Sequence, residues 1–274
     1  MTLKLCIFGN SHVAALKSAL RAHPGRWSKI EVQVVGAHNE LLLDTELRDG
    51  ALVPTTPEAA TAFGKFGGGA GVDLDGFDAL AIAGCQVSAA RAAMIHRSCR
   101  WVGLPSVAEL DDASTLDLPL VSAALARAAL DHSLSGTLGL RLARHLRPMT
   151  DRPILLLSQP RTNARVLTMT TERAMAQRRA IRAGDAAYLS AMFEEAATRL
   201  LAETGVSFVP QPAETIAQSI LTRQMYANGA PKLALKEGAR QPPEDVLHAN
   251  AGYGAVVLDQ LEALLGDAAD RNVA

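Results

Sequence analysis

The sequence predicts an α/β fold: one domain over residues 1–274, built as a three-layer α/β/α sandwich around a mostly parallel sheet of five strands. Three observations carry that expectation. Short apolar runs recur along the chain, as strands covered on both faces require. Segments with helical spacing separate them, and strands alternating with helices make a parallel sheet. The composition, 49% hydrophobic and 20% charged over 274 residues, is that of a globular protein large enough for a full three-layer core.

The first strand is the run Leu5 to Phe8, and a tight corner follows at Gly9-Asn10-Ser11. Gly9 suits the corner because it tolerates backbone angles that other residues avoid. Apolar residues then recur at Val13, Leu16 and Leu20, a helical spacing. Lys29 to Val35 alternates and is rich in β-branched residues, which marks a second strand, stopped by Gly36-Ala37-His38-Asn39. Residues 40–76 have weak periodicity and hold Pro54, Pro57 and the run Gly67-Gly68-Gly69-Ala70-Gly71, which reads as a flexible loop. The Gly-Lys-Ser/Thr that a phosphate-binding loop needs is absent from it. Asp78 to Ala83 is the third strand, leading through Gly84-Cys85-Gln86 into an alanine-rich helix that ends near Arg97. A helical stretch covers about 120–147. Pro153 to Leu157 is the fourth strand, ending in Ser158-Gln159-Pro160-Arg161. A long helix over about 171–203 precedes a short strand, Val206 to Val209. A helix over about 213–226, a loop or lid over 227–243 and a final helix over about 252–265 complete the chain.

Charge and composition exclude several function classes. Lys plus Arg is 27 and Asp plus Glu is 28, a formal net charge of -1, so no basic excess favours nucleic acid or a membrane surface. An aromatic content of 4% leaves little to stack on single-stranded bases. Cys6, Cys85 and Cys99 match neither a zinc site nor a redox pair, and the scattered histidines form no ligand pattern. No metal and no cofactor are expected. The N-terminus has no signal-peptide pattern and no apolar run approaches a membrane span, so the expected location is the cytoplasm.

In parallel sheets ligands bind beyond the carboxyl ends of the strands. Ser11 lies at one such end, next to the first turn of a helix, where unpaired N–H groups and the dipole favour negative charge. A serine there is either a helix cap or a nucleophile. A nucleophile needs a base, and the base needs an orienting group. Asp245 and His248, three apart before the last helix, can stand side by side in one turn. The alternative is that Asp245 caps a turn and His248 merely begins the helix. Arg161, after the fourth strand, reads as a solvated surface residue or as the partner of an acidic group on a substrate. His12 reads as structural, because adjacent helical residues do not share a face.

Together, Gly9-Asn10-Ser11-His12 after the first strand and Asp245-Val246-Leu247-His248 before the last helix resemble the SGNH (GDSL-like) hydrolase superfamily. The resemblance runs from the first strand to the final helix. It implies a flavodoxin-like fold and a serine hydrolase, with Ser11 as nucleophile, His248 as base and Asp245 as its orienting carboxylate. It also implies an oxyanion hole made by the N–H groups of Ser11 and Gly36 and a side-chain amide of the third sequence block. That block is usually Gly-x-Asn-Asp; here it reads Gly84-Cys85-Gln86-Val87, so Gln86 offers the same amide on a side chain one methylene longer. Asn10 stands where the family often has aspartate. The implied substrate is a small-molecule short-chain acyl or carbohydrate O-acetyl ester, cleaved through an acyl-enzyme without metal or cofactor. Losing one oxyanion donor costs on the order of a hundred- to a thousandfold in rate, so Gln86 leaves open a catalytically weak or inactive binding protein. An O-acyltransferase using the same acyl-enzyme is a third reading. A nucleotide-binding protein would need a G-x-G-x-x-G turn after the first strand, which is absent. The 227–243 loop abuts Asp245 and is expected to border the pocket.

Overall fold

The computed structural model describes residues 2–110, 116, 118–234, 236 and 238–271, with side chains as far as Asp267. The first strand β1 (Leu3–Gly9) runs into helix α1 (Val13–Ala22), and β2 (Ile30–Gly36) follows. A small lobe comes next: β3 (Thr45–Arg48), β4 (Ala51–Pro54), α2 (Pro57–Phe66) and β5 (Val72–Asp73). The chain then forms β6 (Ala79–Ala83), α3 (Ala90–Ser98), β7 (Arg100–Trp101), α4 (Pro105–Ala108) and β8 (Leu120–Val121). After α5 (Ala123–Ser135) and α6 (Leu138–Leu146) come β9 (Ile154–Leu157), α7 (Glu172–Arg182), α8 (Ala186–Ala202) and β10 (Ser207–Val209). Two short strands, β11 (Ile216–Ala217) and β12 (Leu221–Thr222), precede the last helix, α9 (Ala251–Arg271).

The central sheet has five strands in the order β10-β9-β6-β1-β2, and every adjacent pair is parallel. All five residues of β6 are buried, as are Leu5 to Gly9 of β1. The order reverses at β1, because the chain passes to β2 on one side and then to β6 on the other. Such a reversal opens a crevice at the carboxyl end of β1, beside β6. Gly9 closes that end, opposite Gly36 of β2 and Ala83 of β6. It is required by space rather than by backbone angle: a Cβ there would collide with the Ala83 carbonyl and with Val13 Cγ1.

The first, second and third predicted strands, and the fourth and fifth, appear within a residue or two of their expected bounds. Other segments differ. The region expected as a loop over 40–76 is ordered. β3, β4 and β5 form an antiparallel sheet, turned at Asp49 and Gly50, whose φ values of 51° and 79° suit a tight hairpin. Helix α2 is capped by Thr56, whose side chain accepts from the Ala59 N–H, starts at Pro57 and ends at Gly67 with φ 106°. The long helix expected over 171–203 is broken at Gly184, where φ is 77°. The helix expected over 213–226 is instead two 3-10 turns flanking the β11–β12 hairpin. The stretch 120–147 divides into β8, α5 and α6. Among the described residues no helix is long and apolar enough to cross a membrane.

Candidate active site

Ser11 follows β1 and precedes α1. Its side chain caps nothing: α1 has no side-chain cap, and the Ser11 hydroxyl turns to the other end of the chain. There Ser11 Oγ lies 2.8 Å from His248 Nε2, and His248 Nδ1 lies 3.0 Å from Asp245 Oδ2. The Asp245 side chain is cap and partner at once. Its Oδ1 accepts the backbone N–H groups of Leu247 (3.0 Å) and His248 (2.8 Å), leaving Oδ2 for the imidazole. Burial pushes the Asp245 carboxyl up, but the bonds from the His248 ring and backbone outweigh it and hold it below the usual carboxylate range. An ionised Asp245 accepts a proton-bearing Nδ1, so His248 Nε2 is left with its lone pair toward Ser11.

The two ends are held together by the helices that follow them. Helix α1 packs along α9, and Gly254 on α9 lies so close to α1 that a Cβ there would run into the Ala15 carbonyl. The residue after Ser11 takes part too. The His12 ring stacks on His248, with centroids 4.7 Å apart and planes 20° from parallel. Burial first, and then the neighbouring His248, push the His12 pKa down to about 3, against a smaller upward pull from Asp245. His12 is therefore a neutral plate against the His248 ring, and among the described residues its buried Nδ1 has no partner. Reasoning from helical faces missed this contact, because His12 precedes the helix, and nothing in its spacing signals a stack with a residue 236 positions away.

Ser11, His12 and His248 line a cleft of about 530 Å³ that also takes in Asn10, Gln86 and Gln159. Gln86 reaches it from an unusual backbone: Gly84, Cys85 and Gln86 have φ of 79°, 57° and 71° in succession. Glycine is needed at Gly84, where a Cβ would stand 2.6 Å from Asn10 Oδ1 and 2.8 Å from His12 Cβ. The Gln86 backbone N–H is spent on Gln159 Oε1 (2.8 Å), while its side-chain oxygen faces Arg91. Among the described residues the Ser11 N–H has no acceptor.

Two expected residues lie elsewhere. Gly36 ends β2 beneath Leu233 and Val13, whose side chains would meet a Cβ at 2.8 and 3.2 Å, and it does not line the cleft. Arg161 is neither solvated nor in the cleft. It is 2% exposed and bonds Glu194 (2.8 Å) and Ser190 (2.7 Å) behind the strand end. Burial lowers its pKa against the pull of Glu194. The described residues of the 227–243 loop do not line the cleft either; 235 and 237 lie outside the described residues. That loop covers Gly36 and borders a separate hollow behind Asp245. No group of His, Cys, Asp or Glu that could hold a metal ion occurs among the described residues.

No family model matches the chain, and no curated protein matches it. Two solved structures align with nearly all of it. One is 11% identical, with 97% of this chain and 98% of the other covered and a TM-score of 0.39. The second, a protein described as a putative arylesterase from Agrobacterium tumefaciens str. C58, is 12% identical, with 97% and 99% covered and a TM-score of 0.36. Similarity at that level carries no argument about what this chain does.

Proposed function

We propose that the protein is a serine esterase of the SGNH type, and the observation that carries the reading is the unbroken line from Ser11 through His248 to Asp245. His248 Nε2 takes the hydroxyl proton as Ser11 Oγ attacks an ester carbonyl. The alcohol leaves with that proton, and water, activated by the same imidazole, releases the acid from the acyl-enzyme. The Ser11 N–H and the Gln86 amide are the candidate oxyanion donors; the burial of Gly36 removes support for the third. The accompanying fold is a three-layer sandwich, with α1 on one face and α3, α5, α7 and α8 on the other, as right-handed crossovers in this strand order require; α9 joins the first face by packing along α1. The substrate class is a small acyl ester, among them carbohydrate O-acetyl esters.

A fluorophosphonate probe tests the reading. It is expected to label Ser11, as mapped by mass spectrometry, and labelling is expected to vanish in His248→Ala. An intact, unlabelled wild type would favour a binding protein instead. A second expectation concerns His12. His12→Ala removes the plate that fixes the base, and a misplaced base costs on the order of a hundredfold. The kcat for p-nitrophenyl acetate should fall by roughly ten- to a hundredfold while KM changes little; equal kcat in the variant and the wild type would make the stack merely structural.

A further inference from the structure

The cleft has a charge character that the three residues of the line do not explain. Besides the two imidazoles, the ionisable side chains lining it are Arg91 and Arg173, and among the described residues no carboxylate lines it. Arg91 is held in place: Nε donates to the Gln86 carbonyl (3.1 Å), and Nη1 donates to the Ser133 carbonyl (3.0 Å) and hydroxyl (2.9 Å). Among the described residues its Nη2 has only a long contact, 3.5 Å, to Gln86 Oε1. Arg173 is exposed and has no hydrogen-bond or ion-pair partner among the described residues. The neighbouring Glu172 does not serve it, because that carboxylate bonds Arg97 at 3.0 Å. Both arginines occupy the first turns of helices, Arg91 in α3 and Arg173 in α7. There the helix dipole adds to their positive field instead of offsetting it. The two also repel each other: burial first, and then the charge of Arg173, lower the pKa of Arg91.

Two uncompensated cations on the wall of a cleft that no described carboxylate lines are a binding site for negative charge. We propose that the substrate is an anionic ester, carrying a carboxylate or phosphate that Arg173 and the free edge of Arg91 hold while its ester group lies at Ser11. The proposal rests on the esterase reading for the ester, but the anion site itself does not depend on turnover.

The test compares 4-acetoxybenzoate with its neutral methyl ester, methyl 4-acetoxybenzoate. The ratio of kcat/KM for the anionic over the neutral ester is expected to fall about tenfold in Arg173→Gln, the scale of one charge-assisted contact. It should also shrink in wild type as salt is raised from about 0.01 M to 1 M, which shortens the screening length roughly tenfold. A ratio that is the same in both proteins overturns the proposal. Binding of 4-acetoxybenzoate to Ser11→Ala, followed by calorimetry, provides an arm free of catalysis, and Arg173→Gln in that background should weaken it about tenfold. Binding indifferent to residue 173, with Ser11 still labelled by fluorophosphonate, would sink the anion site alone. Loss of labelling with Arg173-dependent binding preserved would sink the esterase reading alone.

Discussion

Asp245→Asn is expected to lower kcat/KM for an activated ester by about 10⁴-fold, the scale of an imidazole held in the wrong tautomer. The reason lies in which atoms the substitution changes. The asparagine carbonyl can keep the two backbone N–H groups that Asp245 Oδ1 accepts, so the turn before α9 survives. The new amide NH₂ would then face His248 Nδ1, where Oδ2 now accepts at 3.0 Å. Two donors cannot share that contact, so Nδ1 must present its lone pair and the proton moves to Nε2. Nε2 then points a proton at Ser11 Oγ and cannot accept one. Steady-state kinetics beside a thermal melt checks this; a loss under tenfold with the melt unchanged would mean that Asp245 does not set the tautomer.

The largest expected effect on stability is at Asp185, where a second serine, histidine and aspartate meet in a different order. Here the carboxylate stands in the middle. Asp185 Oδ2 lies 2.7 Å from His96 Nε2 and 2.5 Å from Ser106 Oγ, while Oδ1 accepts the Ser106 N–H at 2.9 Å. Among the described residues no hydrogen bond joins the histidine to the serine, and the His96 and Asp185 side chains are 0% exposed, so the group ties α3 and α4 to the start of α8. Removing one partner of such a buried pair typically costs about 3–5 kcal/mol. Asp185→Ala should therefore lower the melting temperature by roughly 10 °C, given the scaling for a chain of this size. Burial pushes the Asp185 carboxyl up, but its bonds from His96 and Ser106 outweigh this and leave the pKa below the ordinary value. Its contribution is thus present above the carboxylate's unfolded pKa and disappears as pH falls through the lower folded one. Denaturant midpoints measured across that acid range should converge for wild type and Asp185→Ala; a constant gap would contradict the assignment.

Much of this was legible from residues alone. The five buried strands announce themselves as apolar runs, and the corner after the first strand points to Ser11. Asp245 and His248 were also visible, because three-residue spacing before a helix has only a few compact arrangements. The rest was hidden for identifiable reasons. The lobe at 45–73 is built from strands of four, four and two residues, too short for periodicity to show. Its signals were local instead: Asp49-Gly50 for the hairpin, and Thr56-Pro57 with Gly67 for the ends of α2. The segment 213–226 has helical composition, yet Gln218 and Ser219 adopt φ of 47° and 59°, which turns it into a hairpin. Arg161 was misplaced because its partner, Glu194, comes from the middle of a distant helix. The same limit applies to His12 and to the lone pair of arginines, whose neighbours exist only after folding.

The backbone contact between Gly254 and Ala15 has one more implication. Where side chains separate two helices, their spacing can drift as those side chains are exchanged over generations. Here the main chains themselves touch, four residues after Ser11 and six after His248. The approach of the two segments is limited by main chain against main chain, and exchanging side chains elsewhere in the interior does not remove that limit.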